Sequence, residues 1–117
     1  MITSIKLEEK SIELNGKTYV LHVNMSVLER IQEEVGGDLQ ELIKSTPTDA
    51  MAVTMAAMLN DWAEDQGWDE VWTVKKVKKT FTTGMLNMLD VAGMFFRAMI
   101  PTDQKTEDTK PDTESGN

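Results

Sequence analysis

The first element of the fold is set by residues 12–21, which have the sequence IELNGKTYVL. Apolar and polar residues alternate on both sides of Asn15-Gly16, as in a strand with one buried face. Asn-Gly favours a type I′ turn, because both residues tolerate a positive φ and this turn matches the twist of the flanking strands. The stretch therefore predicts a β-hairpin whose core-facing side chains are Ile12, Leu14, Tyr19, Leu21 and Val23.

The residues on either side of the hairpin place two further constraints on it. Ile5 and Leu7 also alternate, but at odd positions, so a bulge or bend near Glu9-Lys10 is needed for all of them to face one core. His22 falls on the face opposite to Leu21. We expect His22 to be a partly exposed structural histidine, since no cysteine or second histidine is present to share a metal with it.

Helical patterns begin after the hairpin. Ser26 and Glu29 form a capping box for a first helix, which Gly36-Gly37 ends. Asp38 can cap a second, short helix.

The third helix has the clearest start signal. In residues 46–49, a threonine cap is followed by proline at the first helical position and by an acid at the third. This helix is expected to run to about Gln66, with Gly67 as its stop. Asp61 and Asp65 are expected to face water.

The remaining helices are less sharply bounded. Residues 68–79 predict a further short helix, with Thr73 as a break or a fresh N-cap. Thr83 is expected to cap a last helix, from about Gly84 to Ile100, which Pro101 ends.

Together these patterns predict a mainly α fold, with an N-terminal β-hairpin followed by about four to five short helices in a single globular domain over residues 1–100. Residues 101–117 differ in composition, with five acidic residues, two lysines, two prolines and no aliphatic or aromatic side chain. Such a segment buries too little apolar surface to offset the entropy lost on ordering. We therefore predict a disordered acidic C-terminal tail.

The composition disfavours many functions. The 117 residues include 20 acidic and 12 basic side chains, and the resulting charge of −8 argues against binding to a nucleic-acid backbone. With no cysteine and one histidine, a thiolate nucleophile, a histidine-based triad and a zinc site are not expected. No apolar run approaches the roughly 20 residues of a membrane-spanning helix. The sequence predicts a cytoplasmic protein that is not an enzyme and has no cofactor, metal or catalytic residue.

Two charged patterns have plain explanations. Residues 74–79 carry four lysines without arginine, which is typical of a solvated helix face rather than of nucleic-acid binding. The adjacent acids Glu33/Glu34, Glu64/Asp65 and Asp69/Glu70 diverge by about 100° if helical, so we interpret them as solubilising charge rather than as acid–base pairs.

The last predicted helix carries two adjacent apolar seams. The first contains Leu86, Leu89, Gly93, Phe96 and Ile100, and the second contains Met85, Met88, Ala92, Phe95 and Met99. A surface helix needs one apolar stripe, so the second seam is either buried or a partner surface. Seven of the nine methionines lie between Met51 and Met99, and methionine suits both ordinary cores and adaptable binding surfaces. The candidate partner-binding residues are Met85, Met88, Phe95, Met99, Met55, Met58, Trp68 and Trp72.

Two stretches of the chain resemble a known family. Residues 12–21 and residues 24–36, which have the sequence NMSVLERIQEEVG, are followed by further helices and a charged end. This order resembles the tail assembly chaperones of long-tailed, siphovirus-type phages and prophages, in which a similar hairpin with Asn-Gly-Lys leads into a similar helix. The resemblance covers residues 11–43 in pattern and the later helices in order.

The resemblance implies a virion assembly function. It implies a non-enzymatic protein of the host cell cytoplasm, absent from the mature virion, that binds the tape measure protein and assists assembly with the tail tube protein. Proteins of that family often have a second, longer form made by ribosomal frameshifting near the end of the gene. A tape measure protein is expected to be long, helical and apolar, so its chaperone needs an adaptable apolar groove.

Two other functions stay open. Head-tail joining and tail completion proteins, which are structural virion components, are also small and acidic, and they are found in purified particles. An inhibitor that mimics nucleic acid needs aligned carboxylates, but five of the 20 acids lie in the predicted tail and the others are scattered.

Self-association is a further expectation. Two apolar seams on one helix leave more apolar surface than about 100 residues can comfortably cover. We therefore predict a homo-oligomer joined through Met85, Met88, Phe95 and Met99.

Deletion of residues 102–117 tests the predicted tail. These residues carry a charge of −3, from five acids and two lysines, and no apolar anchor. Their removal should leave the thermal midpoint within about one or two degrees, because few folded-state contacts are lost. A larger decrease, measured by circular dichroism, would mean that the tail docks on the domain.

Overall fold

The computed structural model describes residues 7–100. In this range β1 (Lys10–Leu14) and β2 (Lys17–Leu21) form an antiparallel hairpin. The helices that follow are α1 (Met25–Glu34), α2 (Gln40–Lys44), α3 (Pro47–Gln66), α4 (Val74–Thr80), α5 (Thr83–Met88) and α6 (Val91–Met99). The predicted mainly α fold with an N-terminal hairpin is confirmed. The predicted tail and the alternation at Ile5 lie outside the described residues.

The hairpin forms as its turn sequence predicts. Asn15 and Gly16 have φ angles of 53° and 77°, both positive as a type I′ turn requires. Ile12 pairs with Tyr19 across the two strands, so the apolar residues share one face. That face packs on α3, where Tyr19 and Leu21 are fully buried.

α3 is the central helix of the domain. It begins at the predicted cap, where Thr46 Oγ1 accepts a hydrogen bond from the Asp49 amide at 3.1 Å, and it ends at Gly67, whose φ is 77°. Its 20 residues span about 30 Å. Because β2, α1, α4 and α6 all pack on it, most of its circumference is buried. No helix within residues 7–100 combines the length and the apolar composition needed to cross a membrane.

α1 begins earlier than the capping-box pattern predicts. Its N-cap is Asn24, whose side chain accepts a hydrogen bond from the Val27 amide at 2.9 Å. Ser26 lies inside the helix and donates instead to the carboxylate of Asp61 on α3. The predicted capping box of Ser26 and Glu29 is therefore wrong, because asparagine caps the helix and leaves Ser26 free to join α1 to α3.

The expectation that Asp61 faces water is also wrong, whereas Asp65 is exposed as predicted. Asp61 is only 4% exposed, and it accepts hydrogen bonds from Ser26 Oγ and, at 3.2 Å, from Arg30 Nε. Arg30 also bonds to Glu64, one turn further along α3. α1 packs over α3 at Asp61, and the Asp61 carboxylate can be buried because Ser26 and Arg30 of α1 supply its hydrogen-bond partners.

His22 is buried, which corrects the expectation of partial exposure. Its Nε2 lies 3.8 Å from Asp61 Oδ2, beyond hydrogen-bonding distance. The imidazole packs edge-on against Trp62, with ring centroids 6.4 Å apart. Residue 22 follows β2 directly, so these contacts fix the end of the hairpin against α3.

Threonine caps set the starts of α4 and α5. Thr73 Oγ1 accepts a hydrogen bond from the Lys76 amide at 3.0 Å, so the predicted short helix starts only after Thr73. Thr82 caps α5 in the same way, one residue before the predicted cap Thr83.

The predicted last helix is interrupted at Asp90, which separates α5 from α6. Asp90 adopts a left-handed φ of 56°. Its carboxylate lies over Gly93, where an added Cβ would be 2.4 Å from Asp90 Oδ1, and it accepts a hydrogen bond from Arg97 Nη2 at 2.7 Å. The absence of a side chain at Gly93 and the bond to Arg97 stabilise this break, which raises the number of helices in the described residues to six.

Replacement of Asp61 by alanine tests the contact between α1 and α3. Removing one partner of a buried charge pair typically costs about 3–5 kcal/mol, and because Arg30 is partly exposed we expect about 2–3 kcal/mol here. Asp65→Ala, an exposed control on the same helix, should change the free energy of unfolding by less than about 0.5 kcal/mol. Urea unfolding measures both, and equal midpoints for the two variants would contradict the buried network.

Candidate functional site

The outer face of α6 presents an apolar stripe. Val91, Met94 and Phe95 are buried on the side that faces α3. Ala92 and Phe96 are exposed one turn apart on α6, because helical residues four apart are neighbours. Ile100, the C-cap residue directly after α6, is exposed one turn further on, and its amide donates to the Phe96 carbonyl at 3.1 Å. We call Ala92, Phe96 and Ile100 the α6 stripe. Phe96 is 46% exposed and Ile100 is 50% exposed, so large apolar groups of this stripe contact solvent.

A small recess lies beside the α6 stripe. It has a volume of about 30 Å³ between α2, the first turns of α3 and α6, and its walls include Ile43, Ala50, Thr54, Ala92 and Phe96. The one polar group among these, the Thr54 hydroxyl, donates to the Ala50 carbonyl at 2.9 Å and leaves the recess apolar. Ile43 is half exposed at its edge. We call the α6 stripe together with Ile43 the apolar surface.

The structure divides the candidate partner-binding residues by burial. Four of them, namely Met55, Met58, Trp72 and Phe95, are buried in the core and form no part of the outer surface. Trp68 is partly buried and Met99 is partly exposed, and only Met85 and Met88 are largely exposed. The second predicted seam is therefore not one surface, because the break at Asp90 turns α6 relative to α5.

Sequence reasoning did not assign Phe96, Ile100 or Ile43 to the binding surface. Phe96 and Ile100 belong to the first seam, which the pattern of an uninterrupted helix assigns to the buried side. The pair Asp90 and Gly93 is the one sequence signal of the break, since aspartate tolerates left-handed backbone and glycine makes room for its carboxylate.

Trp68 and Trp72 pack against the hairpin. Tyr19 packs edge-on against both rings, with centroid distances of 5.1 and 6.2 Å. Trp72 Nε1 donates to the Tyr19 hydroxyl at 3.2 Å, and that hydroxyl donates to Glu70. Burial, together with the bond to Glu70, raises the pKa of Tyr19 above its usual value. These contacts hold the segment between α3 and α4 against β2.

The lysines of α4 are all exposed, and two of them contact other side chains of the fold. Lys76 Nζ lies 4.3 Å from the centroid of the Trp72 ring, a cation–π contact. Lys78 pairs with Asp49 at the start of α3, which lowers the pKa of that carboxyl mainly through the hydrogen bond. These contacts agree with the interpretation of the lysines as a helix face.

A polar groove of about 250 Å³ lies between α1 and α3, with Arg30, Glu33, Glu34, Asn60 and Trp72 among its walls. Arg30 is bonded to Asp61, and the Asn60 side chain exchanges hydrogen bonds with the backbone of Trp72 at 2.8 and 2.7 Å. Arg30 and Asn60 thus join α3 to α1 and to the segment that contains Trp72.

The polar cluster of Ser26, Asp61 and His22 lacks the geometry of a nucleophile–base pair. Nucleophile activation requires the histidine to contact the serine, whereas here the carboxylate lies between them. Within residues 7–100, no group of three histidine, cysteine or acidic side chains is placed to hold a metal ion.

An ion cluster flanks the α6 stripe. Arg97 donates to both carboxylate oxygens of Glu8, at 2.9 and 2.8 Å, as well as to Asp90. These hydrogen bonds hold the pKa of Glu8 and that of Asp90 below their usual values and raise the pKa of Arg97. The bidentate contact joins the segment before β1 to the outer side of α6.

Comparison with known proteins identifies no relative, because no family model, curated protein or solved structure matches the chain.

The pH dependence of stability tests the Arg97 cluster. A carboxylate whose pKa is lowered on folding stabilises the protein above its unfolded pKa, and that stability is lost as pH falls through the folded pKa. The usual values are 4.5 for Glu8 and 3.8 for Asp90, so this contribution should decline from about pH 4.5 downward. The stability of the Arg97→Gln variant should decline less than that of the wild type below pH 4.5.

Thermal midpoints from pH 6 to pH 2.5 measure this difference. The side chains of Glu8, Asp90 and Arg97 are all partly exposed, so Arg97→Gln should lower the free energy of unfolding at pH 6 by no more than about 1 kcal/mol. Lys79→Gln removes the same charge from α4 and should retain the wild-type profile. Parallel profiles for Arg97→Gln and wild type would contradict the coupling.

Proposed function

We propose that the protein is a tail assembly chaperone of a long-tailed phage or prophage, which binds the tape measure protein and assists its assembly with the tail tube protein. The observation that carries this proposal is the apolar surface on α6. The resemblance over residues 11–43 supplies the class of function. The apolar surface supplies a place for a client.

The apolar surface has the chemistry that a helical client needs. Amphipathic helices bind through anchors three and four residues apart, and the residues of the α6 stripe are four apart. Phe96 and Ile100 contribute large apolar areas, while Ala92 and the adjacent recess leave room for a client side chain. A ridge of large groups beside a recess favours helix-on-helix packing.

The charge of the chain suits a protein that carries an apolar client. A net charge of −8 keeps the complex solvated and disfavours aggregation while the client is bound. On this proposal the protein acts in the host cytoplasm, has no catalytic step and is absent from the mature virion. Its presence in purified particles would instead favour a head-tail joining or tail completion protein.

Co-expression with the cognate tape measure protein, encoded by a very long neighbouring reading frame, tests the proposal. Wild-type protein should co-purify with the tape measure protein and increase its soluble fraction. Phe96→Glu should reduce both by at least tenfold, because a client would have to bury an unpaired carboxylate. Met25→Glu, at a residue of α1 that is 79% exposed, is the matched control and should retain both activities.

Circular dichroism must give the same helicity for both variants, which shows that Phe96→Glu acts at the surface. A wild-type chain that neither co-purifies with nor solubilises the tape measure protein would refute the proposed function. Equal capture by the wild type and Phe96→Glu would refute the assignment of the surface.

A further inference from the structure

The order of side-chain sizes along the α6 stripe is self-complementary. Ala92 lies one turn before Phe96 in α6, and Ile100, the C-cap residue of α6, lies one turn after it, since the Ile100 amide donates to the Phe96 carbonyl. If two copies of α6 pack antiparallel with their Phe96 side chains facing each other, Ala92 of each copy lies opposite Ile100 of the other. Small residues opposite large ones let packed helices interdigitate, so α6 is suited to pair with itself.

The recess extends this complementarity beyond the helix. It opens between Ala92, Phe96 and Ile43, next to the position that Ile100 of a second copy would reach. An aliphatic group entering an apolar recess gains dispersion contacts on several sides. The recess therefore favours a branched aliphatic side chain such as that of Ile100.

The charges beside the α6 stripe also permit self-pairing. Arg97 and Lys10 contribute two positive charges and Glu8 and Asp90 two negative ones, all within one cluster of ion pairs. These four charges sum to zero although the chain carries −8. Two copies can therefore approach through the apolar surface without strong repulsion, while charge elsewhere limits further growth.

We propose that the apolar surface forms a two-fold symmetric homodimer through antiparallel packing of α6 on α6, with Phe96 at the axis. This contact relocates the predicted self-association from Met85, Met88, Met99 and buried Phe95 to the α6 stripe. The dimer itself is independent of the proposed function. Its consequence, that a second copy covers the client-binding surface until a client displaces it, rests on that function.

The size of α6 sets the strength of the dimer. Its nine residues span about 14 Å, so the contact is smaller than the roughly 800 Å² per partner of a standard interface. Dissociation at micromolar concentration is therefore expected, and a longer apolar client can compete.

Cysteine cross-linking tests the pairing, because the chain has no cysteine of its own. Under oxidised glutathione, Phe96→Cys should cross-link to itself at least tenfold faster than the exposed control Met25→Cys. A mixture of Ala92→Cys and Ile100→Cys should cross-link faster than either variant alone, because antiparallel packing places residue 92 opposite residue 100. Light scattering on Phe96→Glu should give the monomer mass with unchanged helicity.

Several results would overturn the dimer. These are equal rates for Phe96→Cys and Met25→Cys, no advantage of the mixture over the single variants, or a wild-type mass equal to that of the monomer at 100 µM. Capture of the tape measure protein without cross-linking would refute the dimer alone, and cross-linking without capture would refute the proposed function alone. Where both occur, oxidised Phe96→Cys should capture at least tenfold less tape measure protein than the same sample after reduction, and equal capture would refute the competition.

Discussion

The burial of α3 on most of its circumference is the constraint on which the rest of the structure depends. Alanines along the helix let neighbouring elements approach closely, and its polar side chains then need partners inside the fold. Asn60 meets this need by binding the backbone of Trp72, and Asp61 meets it by binding Ser26 and Arg30 of α1. Asn60 and Asp61 therefore fix the positions of two different neighbouring segments.

The sequence was most informative where local chemistry decides the backbone. Asn15-Gly16 specified the hairpin turn, and Thr46 and Gly67 specified both ends of α3, because turns and caps depend on residues within a few positions. Asp61 was misassigned because its burial depends on Arg30, 31 residues away along the chain. An aspartate in a helix has the same local sequence whether water or a distant arginine satisfies its carboxylate.

The candidate site was predictable only in part for the same reason. The sequence indicated that the last helical region carries more apolar surface than one face requires, and that surplus is present in the described residues as the apolar surface. Which residues are exposed depends on the break at Asp90, which is held by Arg97 and, through it, by Glu8 at a separation of 89 residues. Periodicity along one uninterrupted helix assigned Phe95 to the candidate surface and Phe96 to the other seam. In α6, which begins after the break, Phe95 is buried and Phe96 is exposed.

The three tryptophans all lie near the hairpin, so intrinsic fluorescence reports on one part of the molecule. Trp62 donates to the Thr18 carbonyl at 3.1 Å, and Trp68 and Trp72 pack on Tyr19, so all three indoles contact the hairpin strand or its immediate surroundings. None of the three lies in the apolar surface. Intrinsic tryptophan fluorescence therefore reports whether the hairpin packs on α3. A binding event confined to α6 leaves that fluorescence unchanged unless α3 transmits a structural change to the hairpin.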